Sequence, residues 1–306
     1  MKAAYIERYG GPEVLQYGDL PDPVAKPGEV VIDVIAASVN GADWKVRAGQ
    51  YGQAQFPFAL GRDFSGVISE VGAGVHDLKV GDAVFGVLPP GREGAYAEKV
   101  AVDAAIVARK PDSLSHVDAA ALALTGLTAL SAVEDTLKLQ RGETILIQGG
   151  AGGVASFAIQ IAKHIGARVI TTTSAANRDY VRHLGADEVI DYVTTDFTKA
   201  VKDCDAVFDT VGGDVAERSF KVIKAGGRAA FIASGAQAPK PDRPDVVSLR
   251  PPVGRARRPL ERIAELYQAG ALRPPEVKLY RLSEAAEAHR VSEGRHFRGK
   301  LVFKVR

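Results

Sequence analysis

The sequence predicts an α/β protein in which a doubly wound parallel sheet is joined to a partly closed antiparallel β-domain. Three observations carry this reading. From Thr144 onward, short β-branched runs alternate with stretches of helical periodicity, the pattern of parallel strands joined by crossover helices. Before Pro111 the pattern is different, with short apolar runs punctuated by glycine and proline turns. Where the first strand of the alternating region meets its helix lies the run Gly149-Gly150-Ala151-Gly152-Gly153-Val154-Ala155.

The elements follow in order. Strands are predicted at 30–39, 66–71, 82–87 and 95–100, with turns at Lys26-Pro27-Gly28 and Val80-Gly81-Asp82. Ser115, with Asp118 three residues on, is a helix N-cap, and an Ala/Leu-rich helix runs from it to about Lys138. Strands then fall at 144–148, 168–172, 188–190, 206–209 and 228–233, with helices at 154–165, 175–184 and 214–223 between them. A Pro- and Arg-rich stretch, 238–259, interrupts the alternation and reads as a solvated loop. A helix at 260–269 follows, then strand, helix and strand at 276–281, 284–291 and 300–305.

Composition excludes several classes. The chain has 306 residues, enough for two domains, with 46% hydrophobic and 25% charged residues. A net charge of +2 argues against a nucleic-acid surface. The single cysteine, Cys204, supports neither an internal disulfide nor a cysteine-rich zinc site. The stretch Met-Lys-Ala-Ala-Tyr-Ile-Glu-Arg at the start lacks a signal core, and no uninterrupted 18-residue apolar run occurs. The expectation is a cytoplasmic protein without a membrane partner. The histidines show no metal spacing, and His164, His183, His289 and His296 are expected on helix surfaces or loops.

The glycine run carries chemistry. Gly150-x-Gly152-x-x-Ala155, after a strand and opening a helix, fits the dinucleotide fingerprint. Gly149, Gly150, Gly152, Gly153 and Val154 are placed to meet a pyrophosphate with backbone N–H groups at a helix N-terminus. NAD-selective folds carry an acid about 20 residues later, at the end of the second strand. Here that strand ends in Thr173-Ser174, so the cofactor is expected to be NADPH. Ser174 can hydrogen-bond a 2′-phosphate and Arg178 can pair with it, although Ser174 is equally placed to cap the next helix. Thr210-Val211 and Ile232-Ala233-Ser234 end two further strands at the carboxyl edge, where ligands lie in such sheets.

Several ordered motifs together resemble the medium-chain dehydrogenase/reductase superfamily, in its zinc-independent quinone oxidoreductase branch. They are 61–72 (Gly-Arg-Asp-Phe-Ser-Gly-Val-Ile-Ser-Glu-Val-Gly), 80–86, 123–129, the glycine turn, 184–190 and 298–302. The resemblance runs the length of the chain except 238–259. It implies a GroES-like catalytic domain built from 1–113 and 270–306, with a Rossmann domain, 114–269, inserted between. It implies that Thr125 lies near the nicotinamide, that Tyr192 contacts the 2′-phosphate, and that the loop 38–45 faces cofactor and substrate. Phe297 and Arg298 are expected to close over the cofactor.

Within that loop, Asn40 is expected either to orient a carbonyl or the ribose, or to cap the following helix. Lys45 either stabilises an oxyanion, contacts the cofactor, or is a solvated cation. Tyr51 either donates a proton, shapes the pocket, or merely packs. The zinc enzymes of the superfamily place a Cys and a His-Glu pair where this chain has Asn40 and Arg62-Asp63. Neither Asn nor Arg suits zinc, so no metal is expected, and Arg62 and Asp63 are expected to form a local ion pair. Without a Lewis acid, the chemistry implied is hydride transfer to a quinone or an α,β-unsaturated carbonyl. Two alternatives stay open: a non-catalytic, crystallin-like NADPH-binding protein, and an enoyl-thioester reductase whose basic groove would come from Arg243, Arg250, Arg255, Arg257 and Arg258. A homodimer joined at the sheet edge, supplied by the strand 228–233 and the apolar Val246-Val247 nearby, is also expected.

Overall fold

The computed structural model describes residues 1–51, 53–235, 237–295 and 297–306; His296 therefore lies outside the described residues. Two compact units result: Met1–Leu124 with Arg255–Gln268 and Pro274–Arg306, and Thr125–Gly254 with Ala269–Arg273. These limits depart from the breaks expected at 113/114 and 269/270.

In the first unit, β1 (Lys2–Ile6), β2 (Gln16–Asp19), β3 (Glu29–Val39), α1 (Gly41–Arg47), β4 (Phe58–Ala59), β5 (Asp63–Val71), β6 (Ala83–Val87), β7 (Lys99–Asp103) and β8 (Val107–Arg109) follow one another. β3 is the hub, antiparallel to both β5 and β7. Its inward residues Val30, Ile32 and Val34 pack with Phe64, Ile68, Val84 and Val102 in one core. The strand expected at 95–100 is displaced: Ala97 makes a lone bridge to Ala3, and regular pairing with β3 covers Lys99–Asp103.

α2 (His116–Leu130) starts where expected. The Ser115 Oγ accepts from the Asp118 N–H at 3.0 Å and donates to the Asp118 carboxylate at 2.7 Å. α2 continues as a π-helical stretch, Ser131–Thr136. The 21-residue run His116–Thr136 is apolar enough to cross a membrane by composition, but 83% of its most apolar window is buried in protein, as in a core helix.

The second unit holds β9 (Thr144–Gln148), α3 (Gly153–Ile165), β10 (Arg168–Thr173), α4 (Arg178–His183), β11 (Glu188–Asp191), α5 (Phe197–Ala200), β12 (Cys204–Asp209), α6 (Asp214–Ser219), β13 (Ile223–Phe231) and β14 (Val247–Leu249). The sheet order is β11-β10-β9-β12-β13-β14, all parallel. This is the Rossmann order, 3-2-1-4-5-6 by sequence, with its switch point between β9 and β12. Leu146, Ile170, Val207, Ala229 and Phe231 form its core; the strands read as continuous apolar runs because both faces are covered. Each such side chain contributes about 1.5–3 kcal/mol on burial. The sixth strand arises inside the stretch expected to be a loop. β13 is therefore an interior strand, a correction to the part of the edge expected at 228–233, and the edge is β14, which contains Val247 of the expected Val246-Val247 pair. Val247 pairs there with Arg228 in parallel register.

The chain then returns to the first unit as α7 (Arg257–Gln268), β15 (Val277–Arg281), α8 (Ala285–Gly294) and β16 (Lys300–Lys304). α7 was expected in the Rossmann domain. Its apolar stripe Leu260, Ile263, Ala264 and Leu266 is buried, Arg257 binds Asp77 and the Ala104 carbonyl, and Tyr267 donates to the Ser113 carbonyl. Those partners all lie in the first unit. β16 pairs antiparallel with β3, Leu301 opposite Val39, and so completes that sheet from the far end of the sequence.

Candidate functional site

In the second unit the glycine turn is locked from beneath. The Gly149 N–H donates to Thr172 Oγ1 at 3.1 Å, and that hydroxyl donates to Gln148 Oε1 at 2.7 Å. Gln148 Nε2 in turn donates to Ser219 Oγ. Gly150 approaches so closely that a Cβ there would lie 2.3 Å from Thr171 Oγ1. Gly152 caps α3, and Gly153, Val154 and Ala155 open it, so the first-turn N–H groups face outward from the carboxyl edge of the sheet.

The other residues expected at the cofactor follow neighbouring strand ends. Ser174 caps the short turn Ala175–Asn177 after β10, and its hydroxyl accepts from Asn177 Nδ2 at 3.2 Å. Arg178 opens α4 and has no ion pair among the described residues. Tyr192, 57% exposed, follows β11, and its N–H donates to the Thr173 carbonyl. Thr210 Oγ1 donates to the Gln148 carbonyl, and the Val211 N–H to Asp209 Oδ1. The Ile232 N–H donates to the Asp209 carbonyl, and the buried Ser234 hydroxyl has no partner among the described residues. Thr125 lies buried on α2. The topology thus gathers the ends of β9 to β13. Phe297 and Arg298 belong to the first unit, where Phe297 packs on the core and Arg298 pairs with Glu276.

The first unit contains a charged cluster shut away from solvent. Asn40 is the N-cap of α1; its N–H donates to Asp43 Oδ2 at 2.9 Å, and the Tyr96 hydroxyl donates to the same oxygen at 2.6 Å. Lys300 Nζ donates to Asn40 Oδ1 at 2.7 Å and to the Val39 carbonyl at 2.8 Å, and lies 4.0 Å from Asp63 Oδ2. Exposure is 0% for Asp43, Asp63 and Tyr96, 3% for Lys300 and 8% for Asn40. Gly299 permits the arrival of Lys300: it has φ 73°, and a Cβ there would stand 2.0 Å from the Glu276 carbonyl oxygen.

Burial shifts every ionisable group in this cluster toward neutrality. It pushes the Asp43 carboxyl up to about 6 against the pull of its Tyr96 and Asn40 hydrogen bonds. It pushes Asp63 up against the Lys300 charge, and Lys300 down against Asp63 and Asp43. The Asn40 side-chain amide and the Leu124 backbone N–H both face the Asp63 carboxylate and pull it down against burial, at contacts looser than a full hydrogen bond.

Arg62 does not pair with Asp63, as expected from their adjacency. It donates twice to Glu93 Oε1, at 2.8 and 2.6 Å. Asp63 opens β5, where successive side chains point to opposite faces, so the two neighbours diverge. Arg255 is drawn from the Pro/Arg-rich stretch to the same neighbourhood, within electrostatic reach of Arg62, Asp63 and Glu93. The cluster balances Arg62, Arg255 and Lys300 against Asp43, Asp63 and Glu93. The other arginines of that stretch are not a solvated groove either: Arg243 pairs with Asp245 and Arg258 with Glu265.

Lys45 and Tyr51 are brought together. Lys45 Nζ stands 5.6 Å from the Trp44 ring centroid and 6.0 Å from that of Tyr51, which is 49% exposed. The C-terminal end of α1 is pinned by Arg47, whose guanidinium donates to the Gly10 carbonyl, to His289 Nδ1 at 3.1 Å and to Glu293. His289 is therefore not a surface residue. It is 0% exposed, and burial beside the Arg47 cation pushes it down to about 3. Because Arg47 can only donate, His289 accepts at Nδ1 and is the Nε2 tautomer. His164 and His183 are exposed as expected.

Sequence reasoning missed Tyr96 and Glu93, placed Asp43 and Trp44 only as members of the loop 38–45 and Lys300 only in the segment 297–300 expected to close over the cofactor, and gave Arg255 only as a candidate for a basic groove. For Lys300 the available signal was its place as a cation directly ahead of the apolar run Leu301-Val302-Phe303.

Two family descriptions match the chain: alcohol dehydrogenase GroES-like domain over residues 26–112, and zinc-binding dehydrogenase over residues 184–303. The mitochondrial NAD(P)H oxidoreductase RTN4IP1 of Danio rerio is 32% identical, over 100% of this chain and 91% of that protein. The chloroplastic NADPH-dependent alkenal/one oxidoreductase of Arabidopsis thaliana is 34% identical, over 99% and 79%. The structure of the quinone oxidoreductase from Coxiella burnetii superposes with a TM-score of 0.94 at 36% identity, covering 100% of this chain and 99% of that one. The chain belongs to the medium-chain dehydrogenase/reductase superfamily, in its zinc-independent quinone oxidoreductase branch.

Zinc, which the name of one superfamily domain implies, does not fit the residues this member provides. Among the described residues no group of three His, Cys, Asp or Glu side chains is gathered for a metal. Around Asn40 the cationic position is filled by the Lys300 ammonium, and Arg62 adds a second cation nearby. The sole thiol, Cys204, is buried in the second unit and pushed up to about 12. A dinucleotide does fit: this member of the superfamily has a glycine turn packed tightly on β10, first-turn N–H groups at α3, and a Ser234 hydroxyl with no partner among the described residues.

Proposed function

We propose that this chain reduces a quinone or an α,β-unsaturated carbonyl compound with hydride from NADPH. NADPH, when bound, supplies the hydride; the chain binds it, orients it and steadies the charge that forms on the acceptor oxygen. The N–H groups of Gly153 and Val154 at the α3 N-terminus would hold the pyrophosphate, while Gly149, Gly150 and Gly152 shape the turn, their own N–H groups being bonded to Thr172 Oγ1, the Thr172 carbonyl and the Gly149 carbonyl. Ser174, Arg178 and Tyr192 receive the 2′-phosphate, the Arg178 contact being charge-assisted. Thr125, Thr210, Val211, Ile232 and Ser234 are assigned to the nicotinamide half.

The observation that carries the choice of reaction is the donor set at Asn40. A neutral amide held by a buried ammonium cannot bind a metal to acidify an alcohol, but it can hydrogen-bond an oxygen that gains negative charge. Asn40 is the donor to the acceptor oxygen, and the half-buried Lys45 and the exposed Tyr51 flank the acceptor. Similarity to the alkenal/one and quinone oxidoreductases supports the same acceptors.

The test is steady-state NADPH oxidation with a panel of 1,4-quinones, enones and 2-alkenals, run beside oxidation of simple alcohols with NADP⁺. Turnover of the electrophilic acceptors, unaffected by chelators, is expected. Alcohol oxidation faster than reduction of every acceptor, or activity that tracks stoichiometric zinc, would reject the proposal.

A further inference from the structure

We infer that Lys300 is the positioning residue for Asn40, fixing the carboxamide so that its N–H side, and not its oxygen, is offered to the acceptor. The inference rests on the reading of Asn40 given above. An ammonium has donors and no acceptor, so the Asn40 atom 2.7 Å from Lys300 Nζ must be the carbonyl oxygen. Turning the amide over would set NH₂ against NH₃⁺ in a dry interior, where opposed donors are costly. The second Lys300 contact, to the Val39 carbonyl, ties the ammonium to the residue that precedes Asn40 and stops it from swinging away.

What remains on Asn40 is Nδ2, a buried donor that faces the Asp63 carboxylate without closing a full hydrogen bond to it, so one of its two hydrogens is left for another oxygen. An oxygen gaining charge on reduction can take it up. The ammonium bonded to the carbonyl end polarises the amide and strengthens that donor. Asp63, 4.0 Å from Lys300 Nζ, favours the charged ammonium and offsets part of the burial that disfavours it. The positive charge that a metal supplies in other enzymes is thus provided here by a side chain on β16, acting one bond removed from the acceptor.

The test is a mutant cycle in the full chain. Lys300→Met alone leaves Asp63 buried without its cation, so the informative variant is Lys300→Met with Asp63→Asn, which removes both charges together. Thermal melting and NADPH titration by fluorescence report folding and cofactor binding. kcat and KM for a quinone report the donor.

Asn40→Ala is expected to lower kcat about 100-fold, the usual effect of deleting one oxyanion donor. The Lys300→Met/Asp63→Asn variant is expected to bind NADPH within about twofold of the parent and to lose about 10- to 100-fold in kcat. Adding Asn40→Ala to it should cost almost nothing beyond Asn40→Ala alone, because residues acting as a unit are not additive. Asn40→Asp, which keeps an oxygen for Lys300 but offers no donor, should be as slow as Asn40→Ala, and this arm does not depend on the double variant folding.

Losses that multiply across the cycle, or an unchanged kcat in the charge-free variant, overturn the inference while leaving Asn40 as the donor. Full kcat in Asn40→Ala or Asn40→Asp overturns the reading of Asn40, and the inference with it.

Discussion

The two units build their sites in opposite ways. The second uses backbone: outward N–H groups at α3 and short polar side chains at the ends of adjacent parallel strands. The first uses side-chain charge, gathered from Asn40, Asp43, Asp63, Tyr96 and Lys300 into an interior that excludes water. A backbone site is sensitive to added bulk and largely indifferent to the charge of its surroundings. A buried charge cluster is sensitive to imbalance, because each ion's desolvation is offset only by its neighbours.

That contrast can be broken by experiment. The largest effect is expected in the first unit. Asp63→Leu leaves the Lys300 ammonium buried beside one fewer carboxylate and should cost about 3–5 kcal/mol of stability, read from denaturant midpoints. A loss below about 1 kcal/mol would mean that the cluster is not held together by its charge balance.

In the second unit, Arg178→Ala should cost about 1.5–3 kcal/mol in kcat/KM with NADPH and nothing with NADH, without moving the melting temperature. Equal losses for both cofactors would remove Arg178 from the 2′-phosphate. Gly150→Val drives a Cβ into Thr171 and should cost about 1–3 kcal/mol of stability through overpacking, together with loss of NADPH binding in a fluorescence titration. Retained binding would show that the turn can relax and that the contrast between the units is overdrawn.

The smallest effect sharpens the comparison by pH. His289 sits at about 3 folded against 6.5 unfolded, so the unfolded chain binds the extra proton in that window and stability falls as pH drops through it. Asp43 sits at about 6 folded against 3.8 unfolded, so the folded chain binds the extra proton there and stability rises as pH drops. Each contributes at most about 1.4 kcal/mol per pH unit, and between pH 4 and 6 they oppose each other. Asp43→Asn should therefore steepen acid destabilisation between pH 6 and 4, and His289→Gln should flatten or invert it. Urea midpoints across that range measure both slopes; an unchanged slope in either variant would mean that its group does not set the acid response.

The same contrast explains what the sequence made legible. The strand–turn–helix around Gly150, the absent acid after β10 and the Ser115 cap are local, and a window of some twenty residues contains all that decides them. The sixth strand was hidden because Val247–Leu249 is only three residues long and flanked by proline and arginine; its pairing with β13 is tertiary. The Arg62 partner was misread because adjacency in sequence suggests a contact that strand alternation forbids. Asp43 and Lys300 carry only slight local marks, the Asn40-x-x-Asp43 spacing of a helix start and a cation ahead of an apolar strand, and Tyr96 carries none: their association is set by the register of β16 on β3 and by packing between distant elements. α7 was assigned to the wrong unit because its amphipathic stripe says that it packs, not on what.

β16 has a consequence for synthesis on the ribosome. Translation delivers β3 and Asp63 early, whereas the strand that flanks β3 and the cation that faces Asp63 come more than two hundred residues later. The intervening residues 125–254 form a contiguous unit that has all its strands before then. Domains whose parts are complete fold first as the chain emerges. The nascent first unit must wait with the Ala36–Val39 end of its central strand unpaired on one side and a carboxylate still in water, so its interior dries out only once the tail has been made.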